Sequence, residues 1–440
     1  MYARLGHPVR DSAGRVDSAT HAGDRLLVRL SGNGVYNLQF ANLVAADGNA
    51  LTVYGTETND VFEFQAGAHA QLTINGLVYQ LSEAYQRIGF QGGGGQDQVT
   101  LTGTAARETA VLQPFSATLA GANYRVEVGG AESIVICGAG GLDSATFYDS
   151  PADDLFGAAP TVAMLYGPGF YDSVRDFSRV EAYHRQGGND TAYLYDSPGD
   201  DDFGADFDNA MLYGNGFYYN VQNFAHVEGV SRAGQDRAYF GDSPGDDRLV
   251  ASPRRASVSG EGFLNVARQF ERVAARSTAG HDTAALYDSP ADDLFTAGPD
   301  AASLTGADYE LATFNFDFVE AHASTGADRA RFRDSQGNDT FGADAAIAML
   351  YGAGYYVRGE GFDQVEAIAT RGHDTAFLYD TPGDDRLVAR ADFAQMQSQP
   401  STSEVHGFAK VVARLTAGKN QIDRAAIDFV LELASGEVSA

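Results

Sequence analysis

The densest chemistry in this sequence is a carboxylate-rich turn that recurs along the chain. Asp196-Ser197-Pro198-Gly199-Asp200-Asp201 has counterparts that begin at Asp149, Asp242, Asp288, Asp334 and Asp380. Calcium takes clustered carboxylates and turn carbonyls in flexible geometry. The candidate ligands are Asp149, Asp153, Asp154, Asp196, Asp200, Asp201, Asp242, Asp246, Asp247, Asp288, Asp292, Asp293, Asp380, Asp384 and Asp385. Asn338 replaces one carboxylate in the remaining copy. If copies of one column stacked on successive coils, they would lie ~4.8 Å apart, or about twice that for two coils per repeat. Carboxylates so close must take up protons, pair with Arg or bind a cation. Calcium ladders along these columns are therefore one expectation. Turn structure without metal is the other. Pro198-Gly199 suits a type II turn, Ala152 and Ala291 in the Gly place suit type I, and Asp at turn entry caps local amides.

The elements that must position these turns are repeats. An aspartate column runs Asp97, Asp143, Asp190, Asp236, Asp282, Asp328 and Asp374, at steps of 46 residues with a single 47. Two apolar columns keep the same register: Phe156, Phe203, Leu249, Phe295, Phe341, Leu387, and Phe177, Phe224, Phe270, Phe316, Phe362, Phe408. A tandem period of this length signals a repeat architecture with atypical end units. Residues 1–44 are expected to form an N-terminal cap or diverged first unit, 45–414 the tandem repeats, and 415–440 a C-terminal cap strand.

Within each repeat the apolar positions alternate. Ala192 and Leu194 face one way, and Thr191, Tyr193 and Tyr195 the other. Period two means strands. Turns such as Tyr213-Gly214-Asn215-Gly216 cut the repeat into short pieces, and no stretch has helical periodicity bounded by caps. The fold class is all-β. A β-solenoid, parallel β-helix-like with diverged capping ends, fits stacked identical turns and an inner ladder of the Phe177 series. A β-propeller with one blade per repeat is the alternative, but the first 40 residues offer no strand to close it.

Leu72-Thr-Ile-Asn-Gly-Leu77 and Gly92-Gly-Gly-Gly-Gln-Asp97-Gln-Val-Thr-Leu-Thr-Gly-Thr104 resemble the Gly-Asn-Asp-rich β-strand repeats of very large bacterial surface proteins. The Tyr-Asp-Ser-Pro-Gly-Asp-Asp form is similar to repeats of planctomycete secreted giants. The resemblance covers roughly 45–415. It implies an extracellular or cell-surface location and a chain that is part of a longer one, which would account for a start, Met1–Arg10, without an apolar signal core. A looser likeness to calcium-binding repeats-in-toxin β-rolls stops at the glycine pattern. Asp190 and Asp201 are 11 residues apart, and the nine-residue Gly-Gly-x-Gly-x-Asp period is missing.

Composition narrows the partners. Lys and Arg total 30 against 59 Asp and Glu, a net charge of -29, and only Lys410 and Lys419 are lysines. That argues against nucleic acid, whose phosphates need a basic surface. No window reaches the ~18 apolar residues of a membrane span. The lone Cys137, beside Ile136, reads as a small buried hydrophobe. The histidines, including His184, His281, His322 and His373, read as surface or turn residues. Glu181, Glu228, Glu320 and Glu366 read as strand-end residues facing solvent.

Recurring tyrosines (Tyr193, Tyr195, Tyr213, Tyr218, Tyr351, Tyr356, Tyr379) suit either glycan or surface-protein binding, or simple cover of a pleated sheet. Three functions remain open: a structural or adhesive repeat segment, a calcium-dependent glycan-binding module, and a β-helical lyase or epimerase on acidic polysaccharide. The enzyme would need a non-repeated base beside a charge-neutralising group. The irregular stretches Ser252–Ala256 and Arg390–His406 hold no such constellation, so no catalytic residue is assigned.

Overall fold

The computed structural model describes residues 9–10, 18–22, 25–29, 39–40, 44–81 and 85–435. Most of the expected N-terminal cap, 1–44, lies outside them. Every regular element among the described residues is a β-strand. None is a helix long and apolar enough to cross a membrane. The chain forms two compact bodies, Met1–Tyr195 with Tyr213–Ala225, and Asp196–Leu212 with His226–Ala440. Each is a β-solenoid of stacked coils whose strands alternate between two sheets, and neither is a propeller.

The second body shows how one repeat is laid down. Arg237–Phe240 lies in the first sheet. Arg248–Ser252, Arg255–Gly260 and Phe263–Arg268 then form an antiparallel meander in the second. Arg272–Arg276 returns to the first, parallel to Arg237–Phe240. The meander's outer strands pair in parallel with neighbouring coils, Arg248–Ser252 with Thr283–Tyr287 and Phe263–Arg268 with His226–Val230. The sheets are thus mixed: parallel between coils, as expected of a β-helix-like solenoid, and antiparallel within each meander. The next meander, Leu294–Ala297, Ala301–Thr305 and Glu310–Phe314, sits in the first sheet. That of Thr340–Ala343, Ile347–Gly352 and Tyr355–Glu360 is back in the second. Successive repeats therefore exchange the roles of the two sheets. The first body repeats the plan: Thr109–Gln113, Ser116–Ala120 and Arg125–Gly129 form a meander in one sheet, and Leu155–Ala159, Val162–Gly167 and Phe170–Arg175 form one in the other.

This exchange corrects the expected ladders. A repeat gives three strands to one sheet and two to the other, so two repeats make five strands in each. Equivalent turns recur on the same edge only every second repeat, about 24 Å apart at a strand spacing of ~4.8 Å. Identical aspartates are not neighbours.

Alternation along the strands fills the interior. Thr375–Tyr379 and Thr191–Tyr195 both bury only their second and fourth residues, an Ala and a Leu. The Phe177 series is buried as expected, but not as a self-stacking ladder. Each Phe follows a tight corner whose bend residue has positive φ: Asp176, Asn223, Gln269, Asn315, Gly361 and Gly407. The left-handed bend turns the Phe inward, where it meets the other Phe column one repeat earlier. Phe295 meets Phe362 at 5.8 Å and Phe341 meets Phe408 at 6.1 Å.

Candidate functional site: the carboxylate corners

Each Asp-Ser-Pro-Gly-Asp-Asp turn is a corner where the chain passes between sheets. Its serine ties the turn internally. In the copy at Asp196, the Ser197 amide and hydroxyl both donate to Asp201 Oδ2, at 2.9 and 2.8 Å, while Ser197 Oγ accepts the Gly199 amide at 3.1 Å. The carboxylates then bind the next coil. Asp196 Oδ2 accepts the amides of Arg232 and Ala233 at 2.6 and 3.3 Å, and Asp200 Oδ1 accepts the Gln235 amide at 2.9 Å. In return the Asp201 amide donates to Asp236 Oδ1 at 2.7 Å. The last contact recurs at Asp154/Asp190, Asp247/Asp282, Asp293/Asp328 and Asp339/Asp374. At Asp385 it is made by Asn420 instead. Amide-to-carboxylate bonds are charge-assisted and stronger than neutral ones, so these corners fasten coil to coil.

The corners also gather charge. Asp196, Asp201 and Asp236 bring oxygens within 4.8 Å of one another, as do Asp242/Asp247/Asp282, Asp288/Asp293/Asp328 and Asp334/Asp339/Asp374. In the first body Asp149 and Asp190 meet His184 in the same way. Burial pushes Asp236 and Asp328 up to about 6. Neighbouring carboxylates add to the effect, Asp196 and Glu271 at Asp236.

Of the turn aspartates expected to ligate, the structure brings together Asp196 with Asp201, Asp242 with Asp247, and Asp288 with Asp293. It places Asp149 beside His184, and Asp154 beneath Asp190. Asp153, Asp200, Asp246, Asp292 and Asp384 point away, each accepting a backbone amide on the neighbouring coil. Asp380 and Asp385 face Asn420 rather than a third carboxylate. The third member of each cluster comes from the Asp190 column, which sequence spacing placed on a different turn. Its signal was the constant register of the columns, since Asp236 lies 35 residues after Asp201, the step between stacked coils.

One oxygen separates the corners into two kinds. Asp293 Oδ1 accepts the Tyr309 hydroxyl at 2.8 Å, and Asp339 Oδ1 accepts that of Tyr355 at 2.9 Å. Phe263 stands in the equivalent place, and Asp247 Oδ1 is buried with no partner among the described residues. Asp196 Oδ1 and Asp201 Oδ1 are likewise buried and unpartnered among them. In chelator, Phe263→Tyr is therefore expected to raise stability by about 1 kcal/mol and Tyr355→Phe to lower it by about 1–2 kcal/mol. Urea midpoints check this, and a neutral Tyr355→Phe would show that the hydroxyl contributes nothing.

The other candidate residues are resolved by their neighbours. His184, expected at the surface or in a turn, lies at a corner with its ring about one-fifth exposed. Glu181, Glu228, Glu320 and Glu366 lie mid-strand, not at strand ends. Arg179 binds Glu181 at 2.9 Å, Arg331 binds Glu366 at 2.6 Å, and Arg268 holds the buried Glu228. Cys137 is half-buried at a strand end, and burial pushes its thiol up. Exposed Tyr351 stacks on Tyr356 at 5.9 Å with a 15° interplanar angle, and Tyr166 on Tyr171 at 6.4 Å. Each ring thus covers a face of its partner, the arrangement of cross-strand sheet cover. The irregular Ser252–Ala256 stretch forms a tight meander turn. It lines a groove of about 1010 Å³ with Glu271, Arg272 and Asp308. No protein-family model matches the sequence, and no curated protein matches it significantly.

Proposed function

We propose that this chain is a load-resisting repeat segment of a secreted or cell-surface protein, structural or adhesive in role, with calcium stabilising its corners. The observation that carries the reading is the use of the repeated polar side chains. Repeat after repeat, they are spent on fastening one coil to the next. Such stitching resists unravelling of a stack whose coils touch only their neighbours. The acidic surface keeps such segments apart and soluble.

Calcium fits the corners at Asp196/Asp201/Asp236 and Asp242/Asp247/Asp282. Each offers three carboxylates and at least one buried oxygen with no protein partner among the described residues. A hard, flexible cation would satisfy those oxygens and cancel repulsion. The Tyr309 and Tyr355 corners already satisfy the same oxygen. The test is a thermal melt after chelation, then in millimolar calcium or magnesium. At a concentration 100 times Kd, calcium is expected to add about 2.7 kcal/mol, and magnesium much less. An equal response to both, or none, leaves the aspartates as turn residues alone.

A further inference from the structure

We propose that the corner formed by Asp149, His184 and Asp190 is a binding site for a divalent transition metal of the zinc class, chemically distinct from the all-carboxylate corners. Both aspartates are fully buried, and the His184 ring is about one-fifth exposed. His184 Nδ1 lies 2.8 Å from Asp190 Oδ2 and 3.3 Å from Asp149 Oδ2. Zinc bonds to N and O donors of about 2.0–2.1 Å imply donor–donor edges of roughly 3.0–3.4 Å. The two contacts of His184 are close to such edges, and the three ligand atoms all lie within 4.8 Å of one another.

The donors are held in place by backbone contacts. The His184 amide donates to the Gln222 carbonyl at 3.0 Å. Asp190 Oδ1 accepts the Asp154 amide at 2.9 Å. Asp149 Oδ2 accepts the amides of Arg185 and Gln186 at 2.9 and 2.8 Å. Its other oxygen, Oδ1, is buried with no partner among the described residues. That unpartnered oxygen, on a buried carboxylate whose other oxygen faces the imidazole, is what the corner has to offer a ligand. A groove of about 360 Å³ reaches the corner at Asp149, lined also by Gln113, Tyr148, Arg185 and Gln186.

Chemistry sets the metal class. Two carboxylates and a neutral imidazole balance a dication. The nitrogen donor favours zinc, nickel, cobalt or copper over calcium and magnesium. The equivalent places at two later corners hold Ser231 and Ser277, whose hydroxyls bond Asp236 and Asp282 at 2.7 and 2.6 Å. A serine at position 184 is thus compatible with the fold.

The experiment titrates chelator-stripped protein with zinc chloride in excess calcium, and with cobalt chloride, whose visible absorption reports its ligands. The same titrations are run on His184→Ser. The wild type is expected to bind one tight equivalent of zinc that calcium does not displace. His184→Ser is expected to bind it more than about 100-fold more weakly, beyond the 10–100-fold typical of lost supporting contacts, while its metal-free melting temperature is unchanged. Equal binding by both proteins, or no saturable binding by the wild type, overturns the site and leaves His184 as a polar bridge between two carboxylates. If His184→Ser does not fold, the ¹⁵N resonance of His184 Nδ1 in the wild type decides. A zinc-induced shift supports the site, and an unchanged resonance overturns it. Failure here leaves the calcium proposal untouched, because that rests on other corners.

Discussion

Asp172→Val is expected to stabilise the protein at pH 7 by several kcal/mol, and by about 3 kcal/mol more at pH 7 than at pH 4. Asp172 sits in the strand Phe170–Arg175, paired with Ile134 and Leu165. It is fully buried, and neither carboxylate oxygen has a partner among the described residues. Burial pushes its carboxyl up to about 8 from the ordinary aspartate value of 3.8. A folded-state value above the unfolded one means that the unfolded chain releases its proton first. Stability from the neutral form is then fully present below pH ~3.8 and is lost as pH rises towards 8. At ~1.4 kcal/mol per unit, the loss by pH 7 is about 4 kcal/mol, of which we take about 3 after local relaxation. Later repeats carry Leu311 and Val357 at this position, both buried, so the core already accepts a branched apolar side chain there. Denaturation midpoints at pH 4 and pH 7 for both proteins check the prediction. A gain that is the same at both pH values would mean that Asp172 is not kept neutral by the fold.

A pair of substitutions at Asp236 separates its charge from its hydrogen bond. In chelator at pH 7, Asp236→Asn is expected to raise stability by about 1–2 kcal/mol, and Asp236→Ala to lower it by about 2–3 kcal/mol. Asp236 Oδ1 accepts the buried Asp201 amide, and its Oδ2 accepts the Ser231 hydroxyl at 2.7 Å. Asn keeps the amide contact, as Asn420 does for Asp385 at 3.0 Å. Ala leaves a buried donor unpaired. The gain from Asn comes from a carboxyl pushed up to about 6. The full shift from 3.8 would be worth about 3 kcal/mol, reduced here for solvent screening at the corner. Because the folded value is the raised one, the wild type loses this stability between pH 4 and about pH 6, so the advantage of Asn should vanish at pH 4. Calcium should stabilise Asp236→Asn less than the wild type, because only the Asp242/Asp247/Asp282 corner then keeps its three carboxylates. If Asn and Ala destabilise equally in thermal melts, the carboxylate charge is not a burden on the folded state.

The sequence by itself determined the period, the strands and the inward residues. The 46-residue register is a property of residue spacing. Strand identity follows from side chains that alternate between faces, a local rule. The Phe177 series was legible as core for the same reason, because one large apolar residue in every copy must be buried. What only the tertiary structure decided was which copies meet. The antiparallel meander reverses the chain inside each repeat and moves the next repeat's meander to the opposite sheet. Identical aspartates are thereby carried to alternate edges, and Asp201 is set against Asp236 rather than Asp247. Alternation then splits neighbours, turning Asp201 into the cluster while Asp200 stays outside on the Gln235 amide. The same step of 35 residues put Asp149 beside His184, which no spacing within a single turn could reveal. Local pattern governs which way a side chain points. Pairing between coils is non-local, and it decides what that side chain finds there.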